Sequence, residues 1–203
     1  MKPYIHGGVK NEMKYAIGLL VLTISAAASI AGQTPAASPT PAASPASPAA
    51  VKDANPADVA SLDAIMKAVY DAISGDAGVK RDWDRFRSLF YPGARLIPTG
   101  KNLGTGVTGA RALSPEDYIV RSGPFLEQNG FHEREIARKV DQYGNIAHVF
   151  SSYHGFKNKT DKDPFLRGIN SFQLLNDGKR WWVVTIYWQQ ETPDNPIPAQ
   201  YLK

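Results

Sequence analysis

Residues 165–190 read Phe-Leu-Arg-Gly-Ile-Asn-Ser-Phe-Gln-Leu-Leu-Asn-Asp-Gly-Lys-Arg-Trp-Trp-Val-Val-Thr-Ile-Tyr-Trp-Gln-Gln, which is two apolar runs joined by a turn. Asp-Gly between two such runs is a strong hairpin signal. With Asp177 and Gly178 as a two-residue turn, Asn170 is expected to pair with Thr185. Both faces of this hairpin then carry large apolar groups, whereas a sheet with one solvated face alternates cleanly. Both faces are therefore expected to be covered.

The chain before this hairpin predicts a second hairpin and, ahead of it, three helices. Residues 131–141 and 145–156 flank a turn at Tyr143 and Gly144. Apolar residues spaced three and four apart predict helices over residues 58–73 with Asp58 as N-cap, over 81–90, and from Ser114 with a kink or an interruption at Gly123 and Pro124. Residues 94–98 are expected to form a short strand. Three helices, about four long antiparallel strands and one short strand predict an α+β fold.

Composition excludes several classes of function. The 203 residues hold 23 Lys and Arg against 19 Asp and Glu, and the cations are scattered, so no basic face for nucleic acid is predicted. The chain has no Cys and four His, so neither a thiolate site nor a metal site is expected. Gly104, Gly106 and Gly109 match the spacing of a dinucleotide-binding loop but lie outside any strand–helix–strand unit, so no cofactor is predicted.

The first part of the chain predicts export. Residues 1–31 resemble a signal peptide, with a second plausible start at Met13 and cleavage after Ala31, which favours a periplasmic or secreted protein. The apolar run is too short to span a bilayer, so the mature chain is expected to lack a membrane span; an uncleaved anchor or a buried helix is the alternative. Residues 32–56, rich in Pro, Ala and Ser, are expected to be a disordered linker before a domain over residues 57–192 and a tail over 193–203.

The order of helices, the antiparallel meander and the ending Asp-Gly-Lys-Arg-Trp-Trp-Val-Val-Thr-Ile-Tyr-Trp at residues 177–188 resemble the nuclear transport factor 2-like superfamily, which includes SnoaL-like polyketide cyclases and ketosteroid isomerase. The resemblance covers residues 58–190. It implies a cone-like domain, with a pocket between the helices and a curved sheet. It also implies either an enzyme or a non-catalytic binding protein, since this fold carries both.

The first candidate site lies on the hairpin of residues 131–156. A turn at Tyr143 and Gly144 makes Glu133 face His154, Glu135 face Ser152, and Lys139 face His148. A carboxylate beside an imidazole in an apolar pocket can carry acid–base chemistry, because desolvation raises the pKa of the acid toward neutrality. We therefore predict Glu133, Glu135 and His154 as catalytic residues. The alternative is a solvated face with charged cross-strand pairs.

The second candidate site is a group of polar side chains on an apolar face of the last hairpin. Buried polar groups require partners from protein, water or ligand. A pocket with aromatic walls and such groups at its floor suits a small apolar or aromatic organic molecule. The predicted ligand-binding residues are Tyr70, Trp83, His148, Asn170, Thr185 and Tyr187. The alternative is a set of internally satisfied hydrogen bonds.

The opposite face of that hairpin predicts a homodimer. Trp182, Val184, Ile186 and Trp188 share this face if the turn lies at Asp177 and Gly178, and a second subunit is expected to cover them. Folding back of residues 193–203 is the alternative. Taken together, the sequence predicts an exported small-molecule-binding domain that carries out a cofactor-free isomerisation, dehydration or cyclisation. The alternative is a non-catalytic ligand-binding or protein-interaction module.

Overall fold

A computed structural model describes residues 53–102 and 104–203. The predicted signal peptide (1–31) and residues 32–52 of the predicted linker lie outside the described residues. Within this described part, no helix has both the length and the apolar character needed to cross a membrane.

The helices begin at capping side chains, and this decides their bounds. They are α1 (Pro56–Val59), α2 (Leu62–Ile73), α3 (Trp83–Ser88) and α4 (Pro115–Asn129). The predicted first helix is in fact two, because Ser61 caps α2 and separates it from α1. Asp58 is therefore not an N-cap; it lies inside α1, where its carboxylate binds Arg85 at 2.7 Å.

The predicted interruption of α4 is absent. Ser114 and Asp117 form a capping box at its start, and the helix continues past Gly123 and Pro124 to Asn129. A proline removes one helical hydrogen bond, but packing around it holds the backbone in place. Gly123 lies against the ring of Trp83, where an added Cβ would come within 3.1 Å.

The helices pack on one six-stranded sheet, which confirms the α+β prediction. Its strands are β1 (Phe90–Lys101), β2 (Thr108–Ala110), β3 (His132–Tyr143), β4 (Ile146–Phe156), β5 (Leu166–Asn176) and β6 (Trp181–Gln190). Their order is β2-β1-β6-β5-β4-β3, with β1 and β6 parallel and the other neighbours antiparallel. The predicted short strand at 94–98 is longer than expected because β6 pairs with Phe90 and with residues 95–99, and β2 pairs with residues 99–101.

Two β-bulges decide which side chains reach the interior. Ile136 is an extra residue in β3, since Glu135 pairs with Tyr153 and Ala137 with Ser152. Val184 is an extra residue in β6, opposite the step from Gln173 to Leu174. An extra residue exchanges the two faces of a strand beyond it. Each bulge therefore sends a different set of side chains toward the helices than regular alternation would.

The core lies between the helices and one face of the sheet, which we call the inner face. On this face the alternating residues of β4 and β5 are buried: Ala147, Val149, Ser151, Tyr153, Gly168, Asn170, Phe172 and Leu174. Aromatic contacts join it to the helices, as between Tyr70 and Phe172, whose ring centroids are 6.2 Å apart. Burial of each such large apolar side chain contributes about 1.5–3 kcal/mol.

A buried arginine holds the loop between α2 and α3. Arg81 is only 7% exposed. Its guanidinium donates hydrogen bonds to backbone carbonyls that α2, the loop and α4 leave without helical partners. These are the carbonyl oxygens of Ile73 (3.1 Å), Gly75 (2.7 Å), Asp76 (3.4 Å), Leu126 (2.9 Å) and Val79. The guanidinium of Arg81 therefore joins the end of α2, the loop and α4.

The C-terminal tail covers part of the opposite face, which we call the outer face. The Tyr201 ring packs against Phe150 of β4 at 4.9 Å, and the Tyr201 carbonyl accepts a hydrogen bond from Ser152 Oγ at 2.6 Å. This is the fold-back considered above as the alternative to a second subunit. It covers β4 but leaves Tyr91 of β1 and Tyr187 of β6 exposed, at 42% and 46%.

Candidate active site

Glu133 lies on the inner face, near the start of β3. It pairs with Gly155 of β4. The side chains of Leu166 and Phe131 occupy the space that a side chain at residue 155 would fill. The backbone N–H of Glu133 donates to Ser74 Oγ at 3.0 Å, which ties the strand to the end of α2. These contacts direct a carboxyl group into the core.

The carboxyl group of Glu133 receives one hydrogen bond and is in no salt bridge of the described residues. Asn170 Nδ2 donates to Glu133 Oε1 at 3.0 Å. Burial disfavours the charged form and raises the pKa of Glu133 to about 7, while the hydrogen bond from Asn170 acts in the opposite direction. The residue keeps part of its surface accessible, but desolvation of its carboxyl group is the dominant effect. Glu133 can therefore release and take up a proton near neutral pH.

Three phenol groups surround this carboxyl. Burial raises the pKa of Tyr70, Tyr118 and Tyr153, and the negative charge of Glu133 raises all three further. All three are therefore neutral hydrogen-bond donors at physiological pH. Among the described residues, the hydroxyl groups of Tyr118 and Tyr153 have no hydrogen-bond partner, so both can donate to a ligand.

The two phenols with unused hydroxyl groups are held by the fold. Tyr118 of α4 stacks on Phe86 at 5.5 Å and meets the edge of Trp188 at 6.3 Å. The Tyr153 hydroxyl lies over Gly168 of β5, where an added Cβ would come within 2.4 Å of it. Only a glycine at residue 168 leaves room for this hydroxyl.

The second predicted acid, Glu135, stands in an ion pair instead. Its carboxylate binds Arg138 at 2.6 Å, and Arg138 also binds Asp63 at 2.8 Å. Glu135 is joined to the interior by Ser151 Oγ, which donates to it at 2.6 Å. Its charge is therefore compensated, unlike that of Glu133.

The predicted pairing of Glu133 with His154 is wrong. The bulge at Ile136 turns Glu133 to the inner face, whereas His154 stays on the outer face with His148, opposite Arg134 and Arg167. The turn also lies one residue later than expected, at Gly144 and Asn145, so Glu133 is opposite Gly155. There His154 Nε2 is buried without a hydrogen-bond partner among the described groups. Burial and the charge of Arg167 lower the pKa of His154, so its imidazole is neutral at pH 7.

The predicted ligand-binding group is divided between the two faces. The bulge at Val184 leaves Asn170 and Tyr70 inside, where they are hydrogen-bonded at 3.2 Å, and turns Thr185 and Tyr187 outward. The two outward residues line an open groove of about 400 Å³ together with Ile97, Ala110, Ser171 and Gln173. The pairing of Asn170 with Thr185 is also wrong. The expected two-residue turn at Asp177 and Gly178 is a four-residue loop over residues 177–180, and this loop together with the bulge places Asn170 opposite Trp188.

Two further predicted ligand contacts lie apart from Glu133. His148 is on the outer face, where its Nε2 is 3.0 Å from Ser171 Oγ. Trp83 donates from Nε1 to Glu127 Oε1 at 2.9 Å and packs on Phe86, so it joins α3 to α4. A second groove, of about 340 Å³, lies beside Arg167 and Glu191 and does not include Glu133.

The predicted dimer face is also divided. Trp182 is on the outer face, beside Tyr91 at 5.8 Å and under Arg180 at 3.6 Å. Ile186 and Trp188, which were expected on the same face, point inward because of the bulge at Val184. Ile186 belongs to the core and Trp188 is half-buried against it, so neither lies on the expected dimer face.

Tyr118, Tyr153 and Ser151 were missed as site residues. Tyr153 and Ser151 carry a signal, because they alternate with Val149 along β4 and therefore share its inner face. Tyr118 carries none that is specific, since an aromatic residue in the first turns of a helix is usually part of the core. Within residues 53–102 and 104–203, no group of three or more acidic or histidine side chains is placed to hold a metal ion.

No protein-family model matches the chain, and no curated protein matches it. Several solved structures do. The chain is similar in fold to proteins called nuclear transport factor 2-like. One is a protein of unknown function from Silicibacter pomeroyi, 14% identical, with a TM-score of 0.48 over 65% of this chain and 94% of that one. A second, from Salmonella enterica, is 14% identical, with a TM-score of 0.44 over 66% and 87%.

A third solved structure, described as cystatin-like, belongs to a Nostoc punctiforme protein of unknown function. It is 10% identical, with a TM-score of 0.48 over 64% of this chain and 87% of that one. Two of these three proteins carry the fold name that the sequence resemblance gave. These likenesses concern the fold alone, and no activity follows from them.

Proposed function

We propose that this protein is an exported small-molecule-binding domain in which Glu133 is the acid–base group of a cofactor-free isomerisation, dehydration or cyclisation. The observation that carries the proposal is an uncompensated carboxyl group in an aromatic interior, with a pKa of about 7. A group that titrates near the working pH is an efficient general base and general acid. Export rests on the signal-like residues 1–31.

The neighbouring groups support a division of roles. Glu133 takes a proton from a carbon or hydroxyl group of the substrate and returns it to another atom of the same molecule. The hydroxyl groups of Tyr118 and Tyr153 donate hydrogen bonds to a substrate oxygen on which negative charge develops. The aromatic surroundings, Phe86, Phe172 and Trp188, favour a small and weakly polar substrate. Glu135, held by Arg138, does not act as the base.

The base can be tested without the natural substrate. 5-Nitrobenzisoxazole is a flat carbon acid: removal of its C–H proton by a base breaks the N–O bond and gives a coloured cyanophenolate. We expect the protein to accelerate this ring opening with a rate that rises with pH around 7, because only ionised Glu133 accepts the proton. Glu133→Gln is expected to lose about 100-fold or more of the rate, as removal of a general base does.

Glu116→Gln is the matched control, since Glu116 is exposed and paired with Arg87. This variant is expected to retain the full rate. Retention of the rate in Glu133→Gln would exclude Glu133 as the base. A wild-type protein that binds the probe without accelerating the reaction would favour the non-catalytic alternative.

One observation favours that alternative, a protein-interaction module. Tyr91 and Trp182 are in edge contact on the outer face, and Tyr187 is exposed further along β6 on the same face, where the tail leaves it uncovered. Exposed apolar patches of this kind mark interaction sites. The partner that we propose is a second copy of the chain, joined through this patch rather than through Ile186 and Trp188.

The dimer is tested by its mass in solution. We expect sedimentation equilibrium to give the mass of two chains, and Tyr187→Asp to give that of one, because it places a charge in the apolar contact. Tyr143→Asp is the control: Tyr143 is 85% exposed at the tip of the β3–β4 hairpin. A wild-type protein of single-chain mass would remove the proposal.

A further inference from the structure

A continuous row of hydrogen bonds leads from the surface to Glu133. It starts at the ion pair of Arg138 with Glu135, which accepts from Ser151 Oγ at 2.6 Å. Ser151 is 2.7 Å from the Tyr70 hydroxyl, and Tyr70 is 3.2 Å from Asn170 Nδ2. Asn170 Nδ2 then reaches Glu133 Oε1 at 3.0 Å. The row crosses β3, β4, α2 and β5, and its three central members are buried.

The ion pair at the outer end decides the direction of every bond in this row. The Glu135 carboxylate can only accept, so Ser151 must use its single hydrogen on it. Ser151 can then only accept from Tyr70, and Tyr70 can only accept from Asn170. The side-chain amide of Asn170 must therefore present its nitrogen, with one hydrogen for Tyr70 and the other for Glu133.

The opposite orientation of the amide suits a neutral Glu133. If Asn170 presented its oxygen, that oxygen would accept from the Tyr70 hydroxyl and from a protonated Glu133, but it would repel an ionised Glu133. The two orientations thus correspond to the two protonation states of the carboxyl group. Whatever holds the amide in one orientation favours the matching state.

We propose that Ser151 and Tyr70 are positioning residues that connect the Glu135–Arg138 ion pair to the Asn170 amide and so favour the ionised form of Glu133. This inference rests on the proposed function only in treating Glu133 as the base; the direction of the bonds follows from geometry alone. Tyr118 of α4 and Tyr153 of β4 also face Glu133 but lie outside the row. Their influence on Glu133 stays the same when the row is broken.

Ser151→Ala breaks the row and leaves every charge in place. The Tyr70 hydroxyl, without its acceptor, then donates to Asn170 and favours the opposite orientation of the amide. We expect the pKa of Glu133 to rise by about one pH unit, since a hydrogen bond to a charged group contributes about that much. The measurement is a carbon-13 NMR titration of the Glu133 carboxyl in the ligand-free protein, assigned with Glu133→Gln.

Ser152→Ala is the matched control. Ser152 is the next residue of the same strand and is equally buried, but its hydroxyl donates to the Tyr201 carbonyl on the outer face. We expect this variant to leave the titration of Glu133 unchanged. Tyr70→Phe is the second test, because it keeps the ring and removes the hydroxyl; it too is expected to raise the pKa of Glu133.

An unchanged titration of Glu133 in both Ser151→Ala and Tyr70→Phe would overturn the inference, as would an equal rise in Ser152→Ala. These results are independent of turnover. If Ser151→Ala shifts the titration of Glu133 but Glu133→Gln keeps the catalytic rate, the role of the hydrogen-bond row is supported and the proposed function is excluded.

Discussion

Replacing Glu133 by Gln is expected to raise the free energy of unfolding by about 3 kcal/mol at pH 8.5 and to change it little at pH 4. Burial raises the pKa of Glu133 from 4.5 to about 7 in the folded protein. As the pH rises from 4.5 to 7, the unfolded chain releases this proton while the folded chain retains it. Unfolding is therefore favoured progressively over that range, and the effect is constant above it. Gln keeps the shape of the side chain and has no proton to release.

Urea unfolding at several pH values between 4 and 8.5 measures this effect. The wild-type and Glu133→Gln curves of stability against pH are expected to separate between pH 4.5 and 7. The control, Glu116→Gln, should show no such gain: Arg87 lowers the pKa of Glu116, so ionisation of this group favours the folded state. Parallel curves for wild type and Glu133→Gln would mean that the carboxyl group is not desolvated. A more stable but inactive variant would identify Glu133 as a residue retained for function.

Replacing Arg81 by Met is expected to reduce the free energy of unfolding by about 4 kcal/mol, the range found when a buried charged group loses its role in a network. The substitution removes five hydrogen bonds to carbonyl groups at once, although the carbonyls of Gly75 and Asp76 keep a backbone donor each. Buried acceptors without partners are costly, and Met supplies none of the lost bonds. Thermal and urea unfolding measure the loss.

Arg95→Met is the control for this prediction. Arg95 also donates to backbone carbonyls, those of Gly93 and Ala94, but from an exposed position. Its replacement is expected to change stability by about 0.5 kcal/mol or less. The loss of unfolding free energy in Arg81→Lys should lie between those of Arg81→Met and Arg95→Met, because a lysine keeps the charge but not the planar set of donors. Equal effects of Arg81→Met and Arg95→Met would contradict the role assigned to the buried guanidinium.

The sequence was sufficient for the order of the long elements, but it did not indicate β2, the division between α1 and α2, or the length of β1. Apolar spacing located α2 and α3, and Ser114 with Pro115 marked the start of α4. These signals are local, and the structure obeys them where no tertiary contact interferes. The pairing of β1 with β6 could not be predicted in this way, because a parallel partner more than 80 residues away produces no local sequence signal.

The site was harder to predict because two single residues control it. Near each turn, the faces follow the alternation that the sequence indicates: Lys139 shares a face with His148, and Leu174 shares one with Trp181. Beyond the bulges at Ile136 and Val184 the faces exchange. Nothing in the pattern marks either residue as extra. Glu133 was therefore identified as a residue but given the wrong neighbour, because both the bulge and the displacement of the turn to Gly144 and Asn145 change its partner.

The tail on the outer face has a practical consequence for anyone who expresses this protein. Ser152, which receives the tail, is the direct neighbour of Ser151, which takes part in the row that leads to Glu133. A purification tag joined after Lys203 would lie next to the contacts of Tyr201 with β4 and could disturb them. Ser152, which makes one of these contacts, is adjacent in sequence to Ser151 of the row. A tag placed before α1 in the sequence leaves the contacts of Tyr201 unchanged.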